Sequence, residues 1–578
     1  MAAFLGVDVG GTFTDAVLLA DGVLRTAKVP TAERQEESVA TAARAVGAAE
    51  LERFTHGTTI ATNALLERRG ARAAFVTTAG FEHVLHLARQ TRPHLYRLCE
   101  PPPEPLVPLE RCYGVRERLG PHGVIEPLDL SSLPDVDADA IAVGLLFSFR
   151  DDRHERAVAD ELRRRHPTAH VVASSEIAPE FREYERFSTT VVDAYLGPIL
   201  SRYLRALADV CVELDLRPPL VMRSSGGVAS LDEAAEHAAW SVLSGPAGGV
   251  VGATLVARLA GFENALAFDM GGTSTDVCAI VGGEAHRSAE RKIGGLPIRL
   301  PSVDVHTVGA GGGSIVWHDT GGALRVGPQS AGADPGPACY GRGGDRPTVT
   351  DANLLLARVP RRLPGGLELD VDAAGRALGA IDPVDVVRVV DAEMLRALRV
   401  VSVERGLDPR ELVLVAYGGA GPLHACALAA ELEVSTVLVP EAAGVLSALG
   451  LVAAEERSDE VRSHVVPLEE ARDVPADAEL DVRYEGQSHE LTVPASPDPA
   501  EAFHRAHEEL YGFSDRGRRL ELVAVRRATV RPAPPIDVRG RSRAVTGPAV
   551  VELPGSTCWV PDGWSGRSDD HETLVLSR

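Results

Sequence analysis

Lysine is almost missing from this chain. Of its 59 basic residues only Lys28 and Lys292 are lysines. Neither follows a glycine-rich loop, so the phosphate loop G-x-x-x-x-G-K-[ST] is absent, as is the strand lysine of protein kinases. H-E-x-x-H and G-x-S-x-G are missing too, and metalloprotease and esterase readings lose their usual supports. No apolar run approaches the roughly 18 residues that a membrane span requires. Met1–Val9 has no basic segment followed by a long apolar stretch, so a signal peptide is not expected and the cytoplasm is favoured. The seven cysteines (Cys99, Cys112, Cys211, Cys278, Cys339, Cys426 and Cys558) form no C-x-x-C pair, which argues for buried, reduced thiols rather than disulfides or a zinc ribbon. Positive charge is in deficit as well. A formal charge of −23 repels nucleic-acid backbones and anionic lipid, so neither is an expected partner, and any small anion must find local donors.

At 578 residues the chain exceeds what one hydrophobic core serves, and several domains are expected. Phe4 to Leu19 reads as two short apolar strands around a Gly-Gly turn, and Gln35 to Ala49 as a helix. Strand and helix patterns continue to about residue 180, interrupted by a proline-rich loop or edge at Pro101–Pro108. Arg182 to Leu207 is expected to be helical. Strand and glycine-loop alternation then runs from Pro218 to about Val452, and Asp481–Val493 and Leu520–Thr529 read as strands of a separate β-rich tail.

The most informative pattern is a repeat. Asp8-Val-Gly-Gly-Thr-Phe-Thr-Asp15 recurs as Asp269-Met-Gly-Gly-Thr-Ser-Thr-Asp276, with apolar strand-like residues on both sides of each copy. Each octet is therefore expected at the tip of a β-hairpin. Gly10, Gly11, Gly271 and Gly272 let backbone N–H groups converge on an anion, and Thr12, Thr14, Thr273 and Ser274 add hydroxyl donors. These are the parts needed to hold phosphate without lysine. Each copy also opens on an aspartate at a strand end. Mg²⁺ favours one or two carboxylates with waters and substrate phosphates, so Asp8 and Asp269 facing across a cleft would suit Mg·ATP.

Leu412 to Ala430 adds a strand, a glycine-rich turn (Gly418, Gly419, Gly421) and a helix opened by Pro422, a close-approach loop suited to a nucleotide's base and ribose. Two phosphate hairpins followed by such a loop resemble the actin, hexokinase and Hsp70 ATPases, in which two ribonuclease-H-like halves clamp ATP. The expected fold class is therefore α/β, with duplicated ATPase domains of that type and a β-rich C-terminal domain.

Over nearly its whole length the chain is similar to the hydantoinase A/oxoprolinase family. The resemblance rests on His56-Gly-Thr-Thr-Ile-Ala-Thr-Asn-Ala-Leu65, Glu180-Phe-Arg-Glu-Tyr-Glu-Arg186, Leu243-Ser-Gly-Pro-Ala-Gly-Gly249 and Asp304-Val-His-Thr-Val-Gly-Ala-Gly-Gly-Gly-Ser314. Ser330–Gly341, Tyr417–His424 and Arg483–Gln487 continue the series. It implies an N-terminal family domain over 1–180, a hydantoinase A domain over 181–455 and the β-rich domain over 465–578. It further implies a small cyclic amide as substrate (a hydantoin, 5-oxoproline or a lactam), ATP and Mg²⁺ as cofactors, phosphorylation of the substrate's carbonyl oxygen, a second hydantoinase B-type subunit and an oligomer. Two alternatives stay open: the ATP-binding subunit of a ketone carboxylase of the acetone carboxylase type, and an actin-like nucleotide switch without small-molecule chemistry. Between Arg462 and Asp481 the chain looks shorter than the family pattern.

Other candidates carry less weight. His56, Asp304 and His306 sit beside glycine or threonine loops and are candidates to position a substrate or a proton, although lone histidines are more often structural. Arg89, Arg92, Arg182 and Arg186 are candidates for a substrate carboxylate, against the commoner use of arginine in surface ion pairs. His83, His86 and His94 lack a carboxylate partner at metal-ligand spacing.

Overall fold

The computed structural model describes all residues except 1–2, 92–95, 98–100, 102, 364–365, 537 and 539–541. Arg92, His94 and Cys99 lie outside the described residues. The six described cysteines are all buried and free, as expected.

Strand Ala3–Val9 is buried at every position except Asp8, and such near-continuous apolar runs belong in the middle of a sheet. It pairs antiparallel with Phe13–Ala20 and parallel with Arg53–Thr58, and Leu220–Met222 lies parallel beyond that. The second half repeats the plan. Ala265–Met270 pairs antiparallel with Thr275–Val281 and parallel with Val413–Tyr417, followed by parallel Thr436–Pro440. Hairpin, parallel strand, parallel strand, twice over, is the duplicated ribonuclease-H-like ATPase fold that the repeated octet implied.

An additional sheet stands between the first half's elements in sequence. Its order is Gly123–Asp129, Cys112–Gly120, Ala73–Thr78, Ala140–Gly144, His170–Ala173, parallel except at the first pair. The 31-residue helix Glu183–Glu213 packs on it, with Phe187 so close to Gly144 that a Cβ there would lie 2.4 Å from the ring. Helices also form at Gln35–Val46 and Gly421–Glu431, near the expected positions.

The tail departs from expectation. Most of its strands join the two ATPase sheets, and among the described residues only Ala549–Leu553 and Ser556–Val560 pair as a sheet of their own: Glu479–Tyr484, Leu491–Pro494 and Leu520–Arg531 extend the first sheet, joined through Glu456–Pro467. Ser565–Ser568 and Thr573–Ser577 extend the second beside Thr436–Pro440. Open strand edges have unpaired N–H and C=O groups, and the tail supplies their partners. Asp481–Val493 is two strands rather than one, because Gly486, at φ +79°, turns the chain back.

Two helices connect the halves. Ser244–Leu259 leads from the first to the second, and Leu446–Ala453 leads back. They touch through backbone: a Cβ on Gly450 would lie 1.9 Å from the Gly248 carbonyl oxygen, and one on Gly6 2.1 Å from that of Ala448. Only glycine permits this approach.

Candidate functional site

Both octets form the same turn. Gly10 N–H donates to the Phe13 carbonyl at 3.0 Å, and Gly271 N–H to the Ser274 carbonyl at 3.0 Å. Asp8 stands opposite Asp15 and Asp269 opposite Asp276 in the two registers. Gly11, Thr12, Gly272 and Thr273 are exposed at the tips, Ser274 half-buried beside them.

Each lead aspartate depends on a neighbouring glycine for room. A Cβ on Gly57, the residue paired with Asp8, would lie 2.5 Å from the Asp8 carboxylate. One on Gly418 would lie 2.2 Å from the Asp269 carboxylate. Helix starts complete the parallel: Gly245 abuts Asp8, and Gly421 lies against the end of the Asp269 strand. The Gly418–Gly421 turn is anchored by Ala420 N–H donating to the Met270 carbonyl at 2.9 Å and Gly418 N–H to that of Ala443 at 2.9 Å. Gly419 lies beside it against Gly555.

The two hairpins share one electrostatic field. Burial, reinforced by Asp15 and opposed by Lys28, pushes Asp8 up to about 7. Burial and then Asp276 push Asp269 up to about 8, with Asp8 and Asp15 adding to the effect and Lys28 opposing it. Lys28 is the site residue that sequence reasoning missed. Its ammonium binds both Asp15 oxygens, at 2.7 and 2.8 Å, and donates to the Gly444 carbonyl of the other half at 3.1 Å. A signal existed: Asp21-Gly22, both at positive φ, is a two-residue hairpin turn that pairs Asp15 with Lys28.

Asp8 Oδ1 is buried without a hydrogen-bond partner, and both lead carboxyls are held back from ionising. A divalent cation would reverse that preference, so the pair fits Mg²⁺ chemically. Among the described residues no group of three or more His, Cys, Asp or Glu side chains is placed to hold a metal ion.

Several expected residues are elsewhere or otherwise engaged. Thr14 is buried, its hydroxyl 3.0 Å from that of Thr31, so it holds the hairpin base instead of facing an anion. Its counterpart Thr275 does the same, donating to Ala310 O at 2.6 Å. His56 is fully buried, with Nδ1 3.1 Å from Val7 O and Nε2 2.8 Å from the Tyr203 hydroxyl, and burial lowers it to about 4. It is a neutral core histidine with no access to a substrate. Asp304 is ion-paired to Arg405 at 2.7 Å and to His286 at 3.1 Å. Burial alone would raise it, but these two partners bring it to about 2, a poor base. His306 pairs with Val277, on the strand leading away from the second tip, and burial and Arg405 lower its affinity for a proton. What that segment gives the site lies further on: Gly312 and Gly313 N–H groups donate to the Gly271 and Gly272 carbonyls at 3.0 and 2.7 Å, clamping the second tip.

The arginine candidates are bound to the protein itself. Arg89 forks onto Glu185, Arg182 donates through Nη2 to Glu490 and the Ser488 carbonyl, and fully buried Arg186 donates to Glu180 O, Leu145 O and Ser174 Oγ. His83 and His86 join no metal-ligating group among the described residues.

Comparison with known proteins matches this arrangement to a family. The hydantoinase/oxoprolinase model covers residues 186–460, and the hydantoinase/oxoprolinase N-terminal region model covers residues 4–166. The chain is 33% identical to the caprolactamase subunit alpha of Pseudomonas jessenii over 90% of its own length and 85% of that protein's. The chain belongs to the hydantoinase/oxoprolinase family. It is also 33% identical to the acetophenone carboxylase gamma subunit of Aromatoleum aromaticum, over 77% of its own length and 67% of that protein's. Among solved structures, the ATP-dependent caprolactamase of Pseudomonas jessenii superposes with a TM-score of 0.87 at 30% identity, covering 99% of both chains. Family motifs thus fall in unequal places: His56-Gly57 and Leu243–Gly249 support Asp8 from behind, whereas Arg182 and Arg186 brace the inserted sheet and the tail.

Proposed function

We propose that this protein is the ATP-binding subunit of an enzyme that opens a cyclic amide, and that the cleft between the two octets is where ATP phosphorylates the amide oxygen. The observation that carries this reading is the pair Asp8 and Asp269, each near the end of its hairpin's first strand beside a glycine, with Asp8 raising Asp269 and Lys28 lowering both. A planar amide is a poor electrophile because resonance shares the nitrogen lone pair with the carbonyl. Phosphorylating the oxygen removes that resonance and leaves a carbon that water can attack. Phosphoryl transfer itself needs positioning and charge neutralisation more than covalent help.

Asp8 and Asp269 would hold Mg²⁺, which supplies charge neutralisation when bound. Exposed N–H groups at Gly11 and Gly272 and the hydroxyls of Thr12, Thr273 and Ser274 would take the phosphates, with Gly10 and Gly271 shaping the turns. Gly418, Gly419 and Gly421 would lie against the nucleoside. Lys28 holds Asp15 and tempers the acidity of both lead carboxyls. The caprolactamase relative favours a lactam or a similar ring as substrate, and its designation as a subunit favours a second chain that completes hydrolysis. A carboxylase reading has the acetophenone carboxylase relative in its favour and uses the same oxygen activation.

Phosphate release with Mg·ATP, screened against caprolactam, hydantoin, N-methylhydantoin and 5-oxoproline, tests the proposal with and without a co-expressed partner subunit. Stimulation by one ring compound supports it. Tight ATP binding with no stimulation by any of them, alongside bicarbonate-dependent turnover of a ketone, would replace it with the carboxylase reading.

A further inference from the structure

One cavity of the molecule lies away from the hairpin tips. It encloses about 760 Å³ between the inserted sheet, the turn after strand Leu220–Met222, the segment at Arg299–Pro301 and strand Glu456–Pro467. Val221 pairs with His56, which pairs with Val7, so Arg223 emerges at the same sheet end as the first hairpin. Two strand spacings put it about 10 Å across the sheet from that hairpin's first strand.

Four arginines and five carboxylates line the cavity, but Arg150 and Arg462 make no ion pair among the described residues and Arg223 makes only a loose one. Arg223 is more than nine-tenths buried, stacks over Trp240 at 4.2 Å and leaves its Nε without a partner; the nearest carboxylate, Glu233, is 3.7 Å from its Nη2. Ser225, also lining the cavity, is buried with an unpartnered hydroxyl. Exposed Arg150 and Arg462 line the cavity with His464; burial lowers that histidine's affinity for a proton, and the two guanidinium groups lower it further.

The acidic wall residues are mostly engaged by other arginines. Glu180 binds Arg299 and Arg526, Glu176 binds Arg163, Asp152 binds Arg156 and Asp459 binds Arg457, at 2.6 to 2.9 Å. That leaves Glu460 as the one acidic wall residue without an arginine on it among the described residues. A buried guanidinium with an open N–H and two further arginines without an ion pair among the described residues give one cavity wall the donors that planar or tetrahedral anions take.

We propose that this cavity is a binding site for a small molecule bearing a carboxylate or phosphate group, held by Arg223, Arg150 and Arg462 with Ser225 donating beside them. A ring substrate carrying a carboxylate, the acid formed on ring opening and inorganic phosphate all present that chemistry. The site is defined without ATP, so its existence does not depend on the reaction in the hairpin cleft.

The test is calorimetric titration of the full chain, free of nucleotide, with 5-oxoprolinate, with inorganic phosphate and with neutral ε-caprolactam. One-site binding of at least one anion is expected, weakened about tenfold or more in Arg150→Gln/Arg462→Gln, while caprolactam gives no such arginine-dependent binding. Both of those residues are exposed, so the double variant keeps the fold; Arg223→Gln, which is buried, is read only if its thermal unfolding matches the parent. Arginine-dependent binding of 5-oxoprolinate alone assigns a substrate or product carboxylate, and of phosphate alone a phosphate site. Absence of binding by both anions overturns the proposal. So does anion binding that persists in the double variant, which is what capture at the hairpin tips would give.

Discussion

The two hairpins have the same turn hydrogen bond, the same facing aspartates and the same buried threonine, yet different surroundings. The first is braced by an ammonium: Lys28 holds Asp15 and reaches the other half at Gly444. The second is braced by backbone and hydroxyl: Thr307 donates to Asp276 at 2.5 Å, and Gly312 and Gly313 clamp the tip carbonyls. What the two share is what phosphate and Mg²⁺ would need. What differs is how each half is held, and only the first tip's brace crosses the cleft as a charge.

The comparison breaks most sharply if one aspartate matters and the other does not. Asp8→Asn and Asp269→Asn are each expected to lower Mg·ATP hydrolysis by about a hundredfold or more without loss of fold, measured as phosphate release beside thermal unfolding. Lys28→Gln should act on the asymmetry. Because Lys28 lowers both lead carboxyls, its loss should move the rising limb of the pH–rate profile upward by about one pH unit and raise the KM for ATP several-fold. A profile that does not move would reduce Lys28 to a surface ion pair.

A smaller contrast separates tip from base. Thr12→Ala is expected to raise the KM for ATP by about threefold to tenfold with unfolding unchanged. Thr14→Ala, which removes a buried hydroxyl from its partner, should cost about 1 kcal/mol of stability and leave KM little altered. Reversal of that pattern would put Thr14 back among the phosphate donors.

The smallest effect is on stability against pH, and its sign follows from the raised carboxyls. Folded Asp8 and Asp269 retain protons up to about 7 and 8, while the unfolded chain releases them near the ordinary aspartate value. Their contribution to stability is therefore full below about pH 4, falls progressively as pH rises and is gone above about 8. Without nucleotide the melting temperature should fall between about pH 5 and 8 and level off above, less so in Asp269→Asn, and Mg·ATP should offset the fall. A melting temperature that rises over this range in the parent and not in the variant would reverse the assigned shift.

The sequence made the hairpins legible because the octet occurs twice between apolar runs, and two copies of one turn imply two copies of one half. It hid the inserted sheet, since strands such as Ala73–Thr78 and Ala140–Gly144 are as apolar as those of the central sheets and only pairing tells them apart. The tail read as separate because hydrogen bonding to Thr436–Pro440 leaves no trace in composition. The surroundings of His56 and Thr14 are hidden in the sequence for one reason: burial is decided by neighbours distant in sequence, Tyr203 for one and Thr31 for the other. Gly57 and Gly418 are the converse, glycines whose role is the space they leave for an aspartate.

Binding of Mg·ATP, measured calorimetrically on Asp8→Asn, Asp269→Asn and the double variant, tests most directly whether the hairpins close on one nucleotide. A shared site predicts one ATP per chain in the parent, comparable losses in the two single variants, and a double variant scarcely worse than either. Independent, additive losses, or full binding with one aspartate gone, would contradict it.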